Sequence, residues 1–188
     1  MDKVVIISGK SGSGKDALGK FMKEELEKHQ KRVLVIHYAD AVKWVLRDYF
    51  NWDGKKDERG RTLLQHIGTD VVRAKYPDFW ANIVVDLISA FEDEFDVAII
   101  PDARFENEVQ LVMEKFPSLT CIRVERTNPN GSIWVNPAFT YEQTIHPSET
   151  SLDDFSFNYI VHNYAGLEEL KDSAVAILED LDLIEKEN

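Results

Sequence analysis

Short, unbroken apolar runs alternate along this chain with longer segments in which apolar residues recur every three or four positions. The runs Lys3–Ile7, Arg32–His37, Val97–Pro101, Thr120–Glu125 and Asn158–Val161 have the length and character of buried strands. Between them the spacing predicts helices over Asp16–Gln30, Ala41–Phe50, Thr62–Lys75, Phe79–Phe91 and Phe105–Phe116. A closing helix presents Leu167, Leu170, Ala174, Ile177, Leu178 and Leu181 on one face. The first helix buries Leu18, Phe21, Met22 and Leu26. Thr62–Lys75 carries two rows, an apolar one of Leu64, Ile67 and Val71 and a polar one of Gln65, Thr69 and Arg73. Strands that are apolar on both faces and alternate with helices imply an α/β fold, a parallel sheet covered on both sides. Two stretches fall outside the pattern. Asn51–Arg61 is polar and charge-dense, which predicts a loop; Thr127–Thr150 is long, bears proline and glycine, and lacks periodicity, as functional or mobile segments do.

The 188 residues suffice for one domain around one core, and neither an internal repeat nor a second domain is evident. A net charge of −12 argues against nucleic-acid polymers and anionic membranes as partners. No run reaches the roughly 18 apolar residues of a membrane span, and the opening residues lead into the first strand without a signal-peptide pattern. The single cysteine, Cys121, allows no internal disulfide and sits in a strand, as a buried thiol does. The expectation is a cytoplasmic protein that acts on small molecules.

Candidate chemistry begins where the first strand ends. Gly9-Lys10-Ser11-Gly12-Ser13-Gly14-Lys15 is a glycine-rich turn between a strand and a helix, the context of a phosphate-binding loop. Its backbone N–H groups and the helix N-terminus cradle phosphate oxygens, and Lys15 reaches the outer phosphates. Lys10 reads either as a phosphate contact or as an exposed loop lysine. Position 16, where Ser or Thr usually ligates magnesium, is Asp; Asp16 is a metal ligand or a carboxylate favoured by the helix dipole. Ligands of such sheets sit at the carboxyl ends of the strands, which gathers Asp40, Asp102, Arg104 and Arg126 at the same edge. Asp40 and Asp102 position metal or substrate, or cap the helices that follow. Arg104 suits bidentate phosphate binding, against an ion pair with Asp102 or Glu108. Arg73 is a second candidate for an acceptor phosphate or an exposed helical arginine, and Tyr38, Phe79 and Trp80 stack on a base or fill the core. For His146-Pro147-Ser148-Glu149, a Ser–His nucleophile lacks an acidic partner and a metal site lacks further ligands. The segment therefore reads as a lid, with Arg126 at its hinge. No general base stands out. A nucleoside monophosphate acceptor needs none, because its phosphate has a second pKa of about 6 and is mostly dianionic at neutral pH.

Taken together, Ser8–Asp16, Tyr38-Ala39-Asp40 with Lys43, Gln65–Asp70 with Arg73, Asp78-Phe79-Trp80, Asp102-x-Arg104-Phe105-x-Asn107-Glu108 and His146-x-Ser148-Glu149 resemble the deoxynucleoside monophosphate kinases of bacteriophages and their bacterial relatives. The resemblance spans roughly residues 4 to 170 in unbroken motif order, and Asp after the loop lysine is typical of that group. It implies a three-layer P-loop NTPase fold with a five-stranded parallel sheet, a helical substrate-binding part at about 41–92 and a lid at about 127–150. It implies ATP and Mg²⁺, with Gly9 to Asp16 holding the phosphates and Asp16 and Asp102 the metal. Asp40, Lys43, Gln65, Arg73, Trp80 and Arg104 would surround the monophosphate, and Lys15, Arg104 and Arg126 would serve the transferring group. Phage kinases of this type are often dimers, so a homodimer is also expected. Asn163 and the turn to Leu170 are similar to the loop that borders adenine in other P-loop small-molecule kinases. Within that wider class, dephospho-coenzyme A and phosphomevalonate kinases are the nearest alternatives, and a nucleotide sensor without turnover is a third.

Overall fold

A computed structural model describes residues 1, 3–164 and 166–186. Its strands are β1 (Lys3–Ser8), β2 (Val33–Val35), β3 (Val97–Ala103), β4 (Thr120–Arg126) and β5 (Tyr159–Asn163). They form one sheet in the order β2-β3-β1-β4-β5, each pair of neighbours parallel. The helices are α1 (Lys15–Lys28), α2 (Tyr38–Phe50), α3 (Glu58–Gln65), α4 (Phe79–Ala90), α5 (Glu106–Lys115), α6 (Tyr141–Thr144), α7 (Pro147–Thr150) and α8 (Leu167–Asp180), with α3 running on into a π-helical stretch, His66–Arg73.

The two-residue period of β1 sends Val5 and Ile7 to one face and Val4 and Ile6 to the other, all four fully buried. Val5 and Ile7 meet Leu18, Met22 and Leu26 of α1 and Leu170, Ala174 and Leu178 of α8. Val4 and Ile6 meet Ala81, Val84 and Ile88 of α4 and Val109 and Val112 of α5. A third, smaller cluster of Val42, Leu46, Ile67 and Trp80 holds α2, the π-helical stretch and α4 together as a helical arm. The molecule is thus the three-layer α/β fold that the apolar pattern predicts. Among the described residues no helix is long and apolar enough to cross a membrane.

The largest departures from the expected boundaries each have a local reason. The Arg32–His37 run yields only the short β2, because α2 starts at Tyr38 and not at Ala41. Its first amides are held by the Asp102 carboxylate, which accepts from Tyr38 N–H at 2.9 Å and Ala39 N–H at 3.0 Å. The expected loop to Arg61 ends early, since Asp57 caps α3 by accepting from Gly60 N–H at 2.8 Å. Gly60, which reads as a breaker, is there because a Cβ would lie 2.0 Å from the Lys55 carbonyl oxygen. Finally, the Thr62–Lys75 helix changes to π geometry at His66, and the Gly68 carbonyl accepts from the Trp80 indole at 2.9 Å.

Candidate active site

The segment Gly9–Gly14 joins β1 to α1 and turns on glycines that no other residue could replace. A Cβ on Gly9 (φ 155°) would lie 2.6 Å from the Val124 carbonyl oxygen, and one on Gly14 (φ 109°) 2.8 Å from Leu170 and 2.9 Å from Asn163. Asn163 fastens the loop from below, donating to the Ser13 carbonyl at 2.8 Å and accepting from Gly166 N–H at 3.2 Å. The Ser13 hydroxyl is buried without a partner among the described residues, a spare polar group inside the cradle. Lys15 is 5% exposed and, among the described residues, its ammonium reaches only the Lys10 carbonyl, at 3.5 Å. Burial, and then the nearby Arg104 guanidinium, lower its pKa to about 7. A lysine kept this dry has an environment that an entering anion would reverse.

Lys15 and Asp16 open onto a cavity of about 240 Å³. Lys43, Gln65, Arg73, Trp80, Asp102 and Arg104, named from sequence, line it too. Thr69 joins Gln65 and Arg73 there, so the polar row survives the change to π geometry. Asp40 does not line it; its carboxylate is taken by Lys43 at 2.7 Å and His37 at 3.3 Å. Trp80 is 2% exposed and packs in the arm, so its core and pocket roles coincide.

Arg73 is not an exposed helical arginine. It pairs with the buried Glu108 carboxylate and lies 4.2 Å over the Phe105 ring. Glu108, 1% exposed, also accepts from Arg104 N–H at 2.6 Å and Phe105 N–H at 3.0 Å, and burial, opposed by Arg73, raises its pKa. One buried carboxylate therefore holds both the Arg73 guanidinium and the Arg104 backbone. Phe139, with Arg61 stacked 5.3 Å above it, and Lys56 complete the wall; these three are absent from the sequence reading because they lie in stretches without periodicity.

The irregular segment from Thr127 closes this cavity. It contains α6 and α7 and bridges the Gly9–Gly14 loop to the arm. On the arm side the buried Gln143 donates to the Glu58 carbonyl at 3.2 Å and to the Thr62 hydroxyl at 3.0 Å. On the loop side Asn136 donates to the Ser11 hydroxyl at 3.1 Å, and Lys10 pairs with Asp153 at 2.8 Å. Burial pushes the Asp153 carboxyl up, yet hydrogen bonds from Lys10 and Arg123 outweigh it and leave the pKa lowered. Lys10 is thus neither free nor on the cavity. Arg126 stacks 4.4 Å over Trp134 and donates to the Gly12 carbonyl at 3.1 Å, outside the cavity wall. His146 has the acidic partner that the sequence did not reveal, Asp70, at 3.4 Å from Nε2. Its Nδ1 accepts from the Ser148 N–H at 3.2 Å and faces the Ser148 hydroxyl at 2.9 Å, capping α7. Glu149, left without a role by the sequence, accepts from Ser11 N–H at 2.8 Å and pairs with Arg104 at 2.8 Å.

Among the described residues no three His, Cys, Asp or Glu side chains gather as a metal cage. Mg²⁺ in phosphate sites is held by one or two carboxylates plus phosphates and water, so a cage is not required. Asp16 fits that need: its carboxylate is 72% exposed, on the first turn of α1 beside the cavity. Both Asp102 oxygens already accept backbone amides, which leaves it only its remaining lone pairs for a metal or a bridging water.

Comparison with protein-family models and with curated protein sequences gives no match. Among solved structures, a sugar kinase from Janibacter sp. HTCC2649 superposes with a TM-score of 0.56 at 16% identity, over 99% of this chain and 100% of that one. A shikimate kinase from Bacteroides thetaiotaomicron gives 0.51 at 12% identity, over 95% and 98% of the two chains. The APS kinase of Mycobacterium tuberculosis gives 0.50 at 12% identity, over 95% and 97%. These likenesses show the fold, one shared with three small-molecule kinases over nearly the whole of each chain.

Proposed function

We propose that the protein transfers the γ-phosphoryl group of ATP to a deoxynucleoside 5′-monophosphate in the cytoplasm, giving ADP and the diphosphate. One observation carries the reading: the phosphate loop, through Lys15 and Asp16, shares a single cavity with Lys43, Gln65, Arg73, Trp80 and Arg104. Donor and acceptor candidates face each other across it, as in-line transfer requires. An oxygen of the dianionic acceptor phosphate forms the new bond to Pγ; the bond from Pγ to the β,γ-bridging oxygen breaks, and ADP takes the electron pair. Lys15, recharged by the phosphate beside it, and Arg104 offset the charge on the transferring group. Arg73, held by Glu108, faces the acceptor end. Arg126, fixed on the loop carbonyl of Gly12, would serve the nucleotide from the loop's outer side. Mg²⁺ bound by Asp16 and the nucleotide would neutralise the β- and γ-oxygens.

A second reading, a P-loop kinase for a hydroxyl acceptor, draws on the Glu149 carboxylate in the cavity wall, a group of the kind that takes a hydroxyl proton. The solved relatives, named for shikimate, a sugar and APS, support that class equally. The deciding experiment offers ATP–Mg²⁺ with each deoxynucleoside monophosphate, dephospho-coenzyme A, phosphomevalonate, shikimate, gluconate and APS, following products by ³¹P NMR. A nucleoside diphosphate from at least one monophosphate is expected. Phosphorylation of a hydroxyl acceptor alone would select the second reading. ATP binding in a thermal-shift assay with no product from any acceptor would leave a nucleotide sensor.

A further inference from the structure

We propose that Glu149 is an internal stand-in for a nucleotide phosphate, occupying the phosphate loop and Arg104 until an entering polyphosphate displaces it and frees Arg104 for the transferred group. The inference rests on the phosphate-loop reading but not on the identity of the acceptor.

The Glu149 side chain is 7% exposed, and a carboxylate so buried persists only when paired and hydrogen-bonded. Its two oxygens are divided between the two kinds of donor a terminal phosphate demands. Oε2 accepts the Ser11 N–H at 2.8 Å, and Oε1 meets the Arg104 guanidinium at 2.8 Å. Lys15 feels the same carboxylate. A phosphate oxygen on the Ser11 amide would share its position with Oε2. Two anions cannot hold one amide, and at a few ångströms in a water-poor site they repel strongly. Arrival of one is departure of the other.

The construction of α7 makes that departure consequential. Glu149 lies on a single helical turn capped by His146, and the Ser148 carbonyl on the same turn accepts from Arg104 at 3.3 Å. Withdrawal of the turn releases both of its holds on Arg104 together. The Arg104 backbone stays where it is, because its N–H is bound to Glu108 on α5. A side chain freed on a fixed backbone can turn to the transferring phosphoryl group without reorganising the sheet edge.

The test measures binding and not turnover, with the full-length protein titrated calorimetrically with Mg²⁺–tripolyphosphate and with ATP–Mg²⁺. Glu149→Gln keeps the volume of the side chain and removes its charge; it should bind both probes about tenfold tighter than the wild type. Glu149→Asp is one methylene shorter, falls short of Ser11 N–H, and should also bind both probes more tightly. In the ligand-free protein, hydrogen exchange at the Ser11 amide, followed by NMR, should accelerate in Glu149→Asp and stay near the wild-type rate in Glu149→Gln, whose amide oxygen can still accept it. Unchanged or weaker polyphosphate affinity in Glu149→Gln overturns the proposal, and if turnover falls at the same time Glu149 is a base instead. A wild type that binds neither probe removes the phosphate-loop reading and this inference with it. A wild type that binds both and phosphorylates no monophosphate removes only the proposed acceptor.

Discussion

Lys15 holds its ammonium at 5% exposure with one long hydrogen bond, and its pKa falls to about 7, mainly through burial. Removing an exposed loop lysine would leave stability unchanged; the burial of Lys15 predicts a gain. The folded pKa lies below the unfolded value of 10.5, so below about pH 7 both states carry the charge and the full burial cost falls on the fold. Between about pH 7 and 10 the unfolded chain binds the extra proton, so this group's contribution to stability improves as pH rises. Lys15→Met should therefore stabilise the ligand-free protein by a few kcal/mol, on the order of the shift, near pH 6. The gain should shrink towards pH 10 in urea denaturation series. A variant less stable than wild type at pH 6 contradicts the burial cost. The same shift predicts net proton uptake when ADP binds near pH 8, because phosphate restores the charged form. Calorimetry in buffers of different ionisation enthalpy reads that number, and uptake of no proton would mean that Lys15 stays neutral beside phosphate.

At the scale of elements, α3 and its π-helical continuation bring Arg61, Gln65, Thr69 and Arg73 to the cavity, and their start depends on Gly60. Gly60→Ala forces a Cβ against the Lys55 carbonyl, a backbone atom that cannot rotate away. The expected cost is about 1–3 kcal/mol, the range of core overpacking, in spite of alanine's better helix propensity. A parallel rise in KM for the acceptor is expected with little change for ATP, and stability above wild type would show that the turn yields freely. Gly60 also illustrates what the sequence could and could not reveal. The strands, α1 and the glycine loop were legible because an apolar run, a helical stripe and a loop motif are each local. The partners of Arg73, His146 and Glu149 were not, since Glu108, Asp70 and Ser11 lie far away in sequence and meet them only in the fold. The sequence reads Arg104 as a phosphate ligand or an ion-pair partner of Asp102 or Glu108; its guanidinium pairs with Glu149, and Glu108 takes its backbone N–H. The π-helical stretch had no signature that separates it from an α-helix at the same spacing.

Across the whole molecule, apolar burial is unevenly distributed, and that decides what can move. The sheet and its two helical layers contain most of the fully buried side chains, whereas the cover over the cavity is fastened by hydrogen bonds at both ends. Segments held by few apolar contacts open at a fraction of the global unfolding free energy. Residues 127–150 should therefore exchange their amide hydrogens much faster than β1, β3 and β4 in the ligand-free protein, and the α7 amides faster still once tripolyphosphate has displaced Glu149. Gln143 is a buried fastener on the arm side, 4% exposed and bonded to both Glu58 and Thr62. Gln143→Ala removes these two bonds, leaving the Thr62 hydroxyl donating to the Glu58 carbonyl at 2.9 Å and both otherwise to water, at about 1–3 kcal/mol. That cost should fall on the opening of the segment, speeding its exchange roughly tenfold or more by the same arithmetic, with the sheet amides unchanged. If the sheet amides accelerate by the same factor, the segment opens only with the whole fold, and a lid that closes over bound nucleotide is excluded.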